Sequence, residues 1–460
     1  VAGRFGIAYQ VTQNTVIRAG IGQTYDTVGY FGTLFGSVLS HNIPVQANED
    51  VNRIGNYGVG QFATTLSAPP TRPAQPTIPA SGVIPFQDAY SQNFRGDRIQ
   101  LPRIDQYNVT LQQQLAPGTT MEIAYVGNIG ERVYPGETYG VDLNTPRLPT
   151  SRAELAAGNT ARRPYFNKYV GTYQGALTFC CSNGMNSAAP SGRATYNALQ
   201  SKLDKRFSNG LQFNANYTWS KAENYANDAA FVQAKHAAWG RNDTNRTHIF
   251  VFSSVYALPF GKGKMFLSSS NRLMDYLVGG YTLAGQTTWE SGRPFTPTYQ
   301  ECGADQDLDT NFAGPGTTSD CRPNGNTSAF NVNAGGLNTA THARTFFAPV
   351  AALATTGAVS GPFSRPAFGT FGNVGRNSLV GPRDYFADMS VIKDIPLTER
   401  FKGQFQFQAF NVFNHAALDI PNASNARCVD CTVAQGAGVI TGLESNSTMR
   451  RLQFAARLTF

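Results

Sequence analysis

Alternation with a period of two residues runs through this chain, and it can be seen in isolation in the last ten residues, Arg451 to Phe460 (R-L-Q-F-A-A-R-L-T-F). Leu452, Phe454, Ala456, Leu458 and Phe460 are apolar, and the residues between them are small, polar or charged. A strand sends alternate side chains to opposite faces. The segment therefore reads as a strand with one apolar face and one polar face, closing on an aromatic. In a soluble protein the apolar face would meet a core. In a transmembrane barrel it would meet lipid, and the polar face would line the lumen. One strand does not decide between these; the recurrence of the pattern and the spacing of the repeats do.

Ten earlier segments read as strands of this kind, with His248 to Leu258 apolar on both faces for part of its length: Arg4 to Val11, Thr15 to Tyr25, Gln106 to Leu115, Thr120 to Asn128, Tyr196 to Phe207, Leu211 to Lys221, His248 to Leu258, Leu277 to Glu290, Asp384 to Lys393 and Phe401 to Phe413. Leu211 to Lys221 is the cleanest, with Leu211, Phe213, Ala215, Tyr217 and Trp219 against Gln212, Asn214, Asn216, Thr218 and Ser220. That makes about eleven strands of roughly 8–14 residues, against the 9–11 or so that a tilted spanning strand needs. Short turns (Thr12 to Asn14, Ala116 to Thr119, Ser208 to Gly210, Pro396 to Arg400) and one modest connection to Tyr276 alternate with long loops near 26–102, 129–193, 222–246 and 291–383 and a last loop before Arg451. Short turns on one rim and long loops on the other are the signature of an outer-membrane barrel. Sandwich strands are shorter, and their loops do not segregate in this way. Tyr9, Tyr25, Tyr217, Trp219, Trp289 and Phe460 fall near strand ends, where aromatic girdles sit.

The expected fold class is therefore all-β, an antiparallel transmembrane β-barrel. The first strand starts on the long-loop side and the last ends on the short-turn side. An odd count of this kind points to the second half of a larger barrel, and 22 strands would be twice it, the size of the plugged outer-membrane transporters. The start at Val1, running straight into strand-like sequence, points the same way.

Composition is compatible with this and excludes several other classes. Only 14% of residues are charged and the mean hydropathy is −0.28, an average in which half-polar strands cancel. No apolar run approaches the roughly 18 residues of a spanning helix. The net charge of +8 is dispersed, with no basic stripe or recognition motif, so no nucleic-acid partner is expected. Six cysteines (Cys180, Cys181, Cys302, Cys321, Cys428, Cys431) all fall in segments that read as loops. Disulfides of an oxidising compartment fit them, with Cys302–Cys321 and Cys428–Cys431 the sequence-local pairs.

Several stretches carry a resemblance: Gly3 to Tyr9 (G-R-F-G-I-A-Y), Asn216 to Lys221 (N-Y-T-W-S-K), Leu258 to Lys264 (L-P-F-G-K-G-K), Glu290 to Phe295 (E-S-G-R-P-F), Phe410 to His415 (F-N-V-F-N-H) and the closing Leu452 to Phe460. Each is a weak motif, but they occur in order over nearly the whole chain. Together they resemble the C-terminal half of TonB-dependent receptor barrels, of the Oar-like acidobacterial group with a carboxypeptidase-regulatory-like N-terminal domain. The resemblance implies residues 1–460 as the second half of a 22-stranded barrel. It also implies a plug inside that barrel and a TonB box that couples to the energised inner-membrane complex. Neither plug, TonB box nor N-terminal domain is visible in these residues. Phe454, Leu458 and Phe460 resemble the signal read by the barrel-assembly machinery. The implied partners are TonB, that machinery, and the lipid and lipopolysaccharide of the outer membrane.

Gln112, Gln114, Asn214, Asn216, Gln404, Gln406 and Gln408 are expected to line the lumen, as a hydrogen-bonding wall for a plug or polar solute or as generic lumen polarity. Arg451 and Arg457 point the same way, toward anions or toward plug and lumen carboxylates. Asp305, Asp307 and Asp309 offer three carboxylates at alternate positions, hard ligands suited to Ca²⁺. They lack the Gly and distal Glu of an EF-hand loop, which favours a solvated acidic loop. The five histidines have no ligand spacing, and Ser253 and Ser254 lack the elbow of a hydrolase. No catalytic constellation and no cofactor site are expected. The functional expectation is a plugged outer-membrane transporter or receptor for a large polar ligand such as a peptide or glycan. The rivals are a surface scaffold or adhesin whose loops bind other surface proteins, a passive porin and, last, a soluble all-β binding protein.

Overall fold

A segment that alternates along its length leaves its backbone N–H and C=O groups pointing sideways, where only a neighbouring strand can satisfy them. In the computed structural model, eleven segments meet this need by pairing with their neighbours in sequence. The structure describes residues 2–26, 92–94, 100–134, 141–166, 169–173, 176–180, 185–187, 191–225, 235–300, 322–336, 344–353, 359–398, 400–421, 424–445 and 447–460. The strands are β1 (Arg4–Thr12), β2 (Thr15–Tyr25), β3 (Arg103–Ala116), β4 (Thr119–Val133), β5 (Gly192–Ser208), β6 (Leu211–Tyr225), β7 (His248–Ala257), β8 (Tyr281–Glu290), β9 (Asp384–Pro396), β10 (Lys402–Phe410) and β11 (Arg451–Thr459). They form one antiparallel meander in chain order, and Trp239–Arg241 adds a short twelfth strand against the end of β6. The sheet is open: among the described residues β1 pairs only with β2, and β11 only with β10.

The register carries apolar side chains across the sheet in rows, interrupted at Ser201. Tyr9, Ile17, Leu111, Ile123, Ser201, Tyr217, Phe250, Trp289 and Tyr385 lie opposite one another from β1 to β9. Leu211, Tyr256, Leu283, Val391, Phe407 and Phe454 form a second row from β6 to β11. Cross-strand pairs of this kind add about 0.2–1 kcal/mol each. Among the described residues nothing covers this face at its last strands: Phe405 is 55% exposed and Phe454 77%. A continuous apolar surface of this size is stable only against an apolar solvent, and strand-wise alternation is how a membrane barrel presents one to lipid.

The turns explain the register. Between β5 and β6, Asn209 and Gly210 both have positive φ (50° and 80°), the mirror-image turn whose twist matches the paired strands. Between β7 and β8 the connection is longer. Helix α1 (Arg272–Val278) opens at Asn271, whose side chain accepts from the Met274 amide, and closes at Gly279. Leu277, expected to begin the eighth strand, therefore sits in a helix, and the strand begins at Tyr281.

Other boundaries also differ from the sequence reading. β4 runs on to Val133 and β5 starts at Gly192, because pairing holds Gly127, Asn128 and Gly130 in a ladder that their own propensities do not signal. β10 ends at Phe410, so Phe413 lies beyond it. Cys180, expected in a loop, closes a short strand, Ala176–Cys180.

The buried hydrophobic core lies in the long connections, away from the spanning sheet. Phe295, Tyr299, Phe330, Phe347, Leu353, Phe363, Val374, Leu379 and Val429 pack together. Phe330 meets Phe347 and Phe363 edge-on, with ring centroids 5.3 and 5.1 Å apart. Short ladders frame this core: Pro294–Phe295 with Leu379–Val380, and Phe363–Ser364 between Asn324–Gly325 and Val359–Ser360. All of these segments sit in connections on one rim, so the described parts of the connections before β9 and β11 form a folded cap.

Candidate functional site at the long-loop rim

The cap is fastened to the sheet by two polar clusters. The first is built on Arg241-Asn242-Asp243-Thr244-Asn245-Arg246. Asn242 orders the turn locally and Asn245 ties it to β6: Thr244 N–H donates to Asn242 Oδ1 (2.9 Å), and Ala222 N–H, near the end of β6, donates to Asn245 Oδ1 (2.7 Å). Asp243 then accepts from Arg376 (2.8 Å) and Asn377 (2.5 Å) of the segment that precedes β9. Asn377 also donates to the Arg241 carbonyl at 2.7 Å, and Arg376 to Asn224 Oδ1 at 3.0 Å. The long loop before β9 is thereby pinned to the end of β6.

The second cluster centres on Arg246. Its guanidinium meets Glu290 (2.8 Å) at the end of β8, Asp384 (2.8 Å) at the start of β9 and Glu444 (3.1 Å) in the loop before β11. It also donates to the Ser291 carbonyl at 2.9 Å. Arg293 shares Glu444 (2.8 Å) and reaches Asp419. Burial disfavours the Arg293 charge, but Glu444 and Asp419 outweigh it and hold the guanidinium above its ordinary value. Two guanidiniums thus serve four carboxylates, and Asp384 is fully buried. Such a cluster contributes little net stability over an apolar equivalent, but removing one member is costly because it strands a buried charge. Gly292 permits the close approach: a Cβ there would lie 2.0 Å from the Gly381 carbonyl oxygen.

Cys428-Val429-Asp430-Cys431 ties the last long loop into the cap core. The two cysteines are joined in the structure, with Cα atoms 5.4 Å apart. Val429 is buried in the aromatic core. Asp430 accepts from the Gln300 amide (2.7 Å) and the Leu353 amide (3.0 Å), so one carboxylate fixes two other loop segments. The pair Cys302 and Cys321, and the carboxylates Asp305, Asp307 and Asp309, lie outside the described residues.

The register places Gln112, Gln114, Asn214, Asn216, Gln404, Gln406, Gln408, Arg451 and Arg457 on a single face, opposite the apolar rows. Their amides bond across and along strands: Gln404 donates to Asp394 Oδ1 (2.8 Å), Gln406 to Ser390 Oγ (3.1 Å), and Asn214 to Asp204. The Arg451 guanidinium lies over the Phe410 ring, 4.9 Å from its centroid. Phe454 and Leu458 lie on the apolar face and are exposed, as is Phe460 just beyond the strand. The sequence reading missed the role of Arg246 and of Glu290, Arg293 and Glu444. Arg241 to Arg246 and Glu290 to Phe295 were visible as polar motifs beside strand ends, but their partners lie far along the chain.

No curated protein matches the chain. Among solved structures it is similar to the ferric citrate transporter FecA in its unliganded form (8% identity, TM-score 0.40, covering 100% of this chain and 38% of that one). It is also similar to the ferric-catecholate import receptor Fiu of E. coli (7%, 0.37, 99% and 34%). A third is BauA, the ferric preacinetobactin receptor of Acinetobacter baumannii (8%, 0.38, 99% and 36%). The chain spans about a third of the length of these structures. The family model of the outer membrane beta barrel domain matches residues 1–453. With an antiparallel sheet, an exposed apolar face and every long loop on one rim, the chain belongs to this outer-membrane β-barrel family, and its place is the bacterial outer membrane.

Proposed function

We propose that this chain forms part of the wall and surface cap of a TonB-dependent transporter that takes up, or passes, a large polar ligand. The observation that carries the reading is the two-faced sheet with its folded cap: apolar residues outside, Gln and Asn on the other face, and one rim closed over by long loops. In this reading the polar face lines the lumen and offers a plug or solute a dense set of amide donors and acceptors. The free edges of β1 and β11 pair with further strands of a larger barrel. The cap captures the ligand, and energised movement of a plug passes it inward. The Oar-like resemblance supports coupling to TonB and a terminal assembly signal at Phe454, Leu458 and Phe460. The reading gives the chain no enzymatic role.

A surface scaffold is the second reading. It is favoured by the cap itself, whose aromatic core, Asp430 and Arg246 cluster make a rigid platform suited to holding another surface protein. Two measurements separate the readings. The first is the mass of the native subunit after denaturation, expected at about twice the 49.7 kDa of these residues or more. The second is binding of the purified full-length protein to the periplasmic domain of TonB. A subunit of 49.7 kDa, or a full-length protein that does not bind TonB, would overturn the transporter reading and move the scaffold to first place.

A further inference from the structure

The motif Leu258 to Lys264 opens the connection between β7 and β8, and the structure folds that connection into an ordered element at the short-turn rim. Phe266 N–H donates to the Pro259 carbonyl (2.9 Å) and Gly261 N–H to the Phe266 carbonyl (3.1 Å), closing a small hairpin with the Phe260 and Phe266 rings 5.5 Å apart. Helix α1 turns its polar side to the strand ends. Tyr276 Oη donates to the Pro396 carbonyl (2.8 Å), and Asp275, the one carboxylate in residues 258–280, accepts from the Lys262 amide (2.6 Å). At about 3.6 residues per turn, Leu273, Met274 and Leu277 fall on the opposite side. All three are exposed, Leu273 at 70%. In the hairpin Met265, at 81%, and Phe266 and Leu267 are exposed as well. Lys262, Lys264 and Arg272 are also exposed, and among the described residues none of them forms an ion pair.

We propose that helix α1 and the hairpin before it are a docking surface for a periplasmic protein that offers an apolar groove edged with carboxylates. Tyr281 begins β8 and carries the Lys393 ammonium 4.3 Å from its ring centroid, a pairing that suits the boundary where a spanning strand leaves hydrocarbon. Residues 258–280 lie beyond it, on the rim that faces the periplasm, so their apolar side stands in water, where such a patch marks a protein contact. Leu273 and Leu277, one turn apart, have the spacing by which a helix lies in a groove. Met265 and Met274 are unbranched and adapt to a partner's contour. The three cations leave the connection with a net charge of +2, and its single carboxylate is turned inward, so an acidic rim is the complementary one. A phospholipid contact would call for Trp or Tyr on the exposed side, and the one tyrosine of the helix is turned to Pro396. The inference rests on the membrane placement of the sheet and is independent of the transporter reading.

The test places a photo-crosslinker in the full-length protein in living cells, as Leu273→benzoylphenylalanine, and reads the adducts of the assembled protein by gel and mass spectrometry. The expected result is a discrete protein adduct whose crosslinked peptide lies in an acidic stretch of a periplasmic protein. The adduct should fall by about tenfold or more when Lys262→Glu/Lys264→Glu sets like charges against each other. It should be kept in Lys262→Arg/Lys264→Arg and lost in Leu277→Ser. Heat-modifiable gel mobility reports that each variant is folded. An adduct with phospholipid alone, no adduct at all, or a protein adduct that maps to a stretch without carboxylates would overturn the proposal. So would a protein adduct of equal strength in the folded double Glu variant, or one confined to newly made chains, which would mark an assembly factor.

Discussion

The spanning sheet and the loop cap solve the burial problem in opposite directions. In the sheet the large apolar residues point away from the protein, and chain neighbours are space neighbours throughout. In the cap they point inward, and residues more than a hundred positions apart, such as Phe295 and Val429, share one core. The difference follows from the solvent each region meets. Lipid is itself apolar, so a strand gains nothing by hiding a leucine from it and need only satisfy its backbone, which an antiparallel meander does with local pairings. The loops stand in water, so they fold as a soluble domain does, around aromatics. Arg246 belongs to both regions, touching the ends of β8 and β9 and the loop before β11.

Four substitutions and one change of pH test this division. Phe347→Ala in the cap core is expected to have the largest effect, about 3–5 kcal/mol, through lost burial and the cavity left behind. Limited proteolysis should then cut the cap readily while the sheet keeps its heat-modifiable mobility; loss of both together would show the regions to be one unit. Arg246→Ala should cost a similar amount, about 3–5 kcal/mol, by stranding Asp384 and Glu290, while Glu444 keeps Arg293. Because it joins the regions, both readouts should move, and an effect confined to the cap would refute its bridging role.

Phe252→Arg, on the apolar face of β7, should cost about 2–4 kcal/mol in vesicle unfolding titrations, as a charge facing mid-bilayer does. Ser253→Arg, one residue on and facing the other way, should cost far less. Equal costs would mean that the apolar face does not meet lipid. The smallest effect belongs to the cap surface. Hydrogen bonds from Arg147 and Thr150 hold the Glu154 carboxyl down at about 2. A depressed carboxylate contributes stability above its ordinary range, lost as pH falls through the folded value. The Thr150 amide, which donates to Glu154 (2.7 Å), should therefore keep its hydrogen-exchange protection at pH 4 and lose it near pH 2, with the rest of the cap unchanged.

How much of this was legible beforehand divides along the same line. Alternation in Leu211–Tyr225 needs no partner to be recognised, because strand geometry puts every second side chain on one face. Eleven strands and their order were readable in this way, and the polar and apolar faces of most; His248 to Leu258, apolar on both faces for part of its length, shows no clean alternation. Boundaries slipped where the local signal was weak, at Gly127 to Gly130, or where a competing signal was overlooked, as with the Asn271 cap that makes Leu277 helical. The cap was read only as long loops. Its aromatics are scattered singly among Gly, Pro and Asn, with no period to betray that Phe295, Phe330, Phe347 and Phe363 converge. The charge cluster was hidden for the same reason: nothing near Arg246 in sequence predicts Asp384 or Glu444.

The sequence by itself determined the two-faced sheet, its strand order and the rim on which the long loops gather, since these depend on period, turn chemistry and loop length, all of them local. Only the tertiary structure decided that the loops fold around a core of their own and are latched to the sheet through Arg246. It alone decided, too, that helix α1 turns an apolar side outward at the short-turn rim. Those features arise from contacts between residues far apart in the chain, and a one-dimensional pattern carries no record of which distant residues meet.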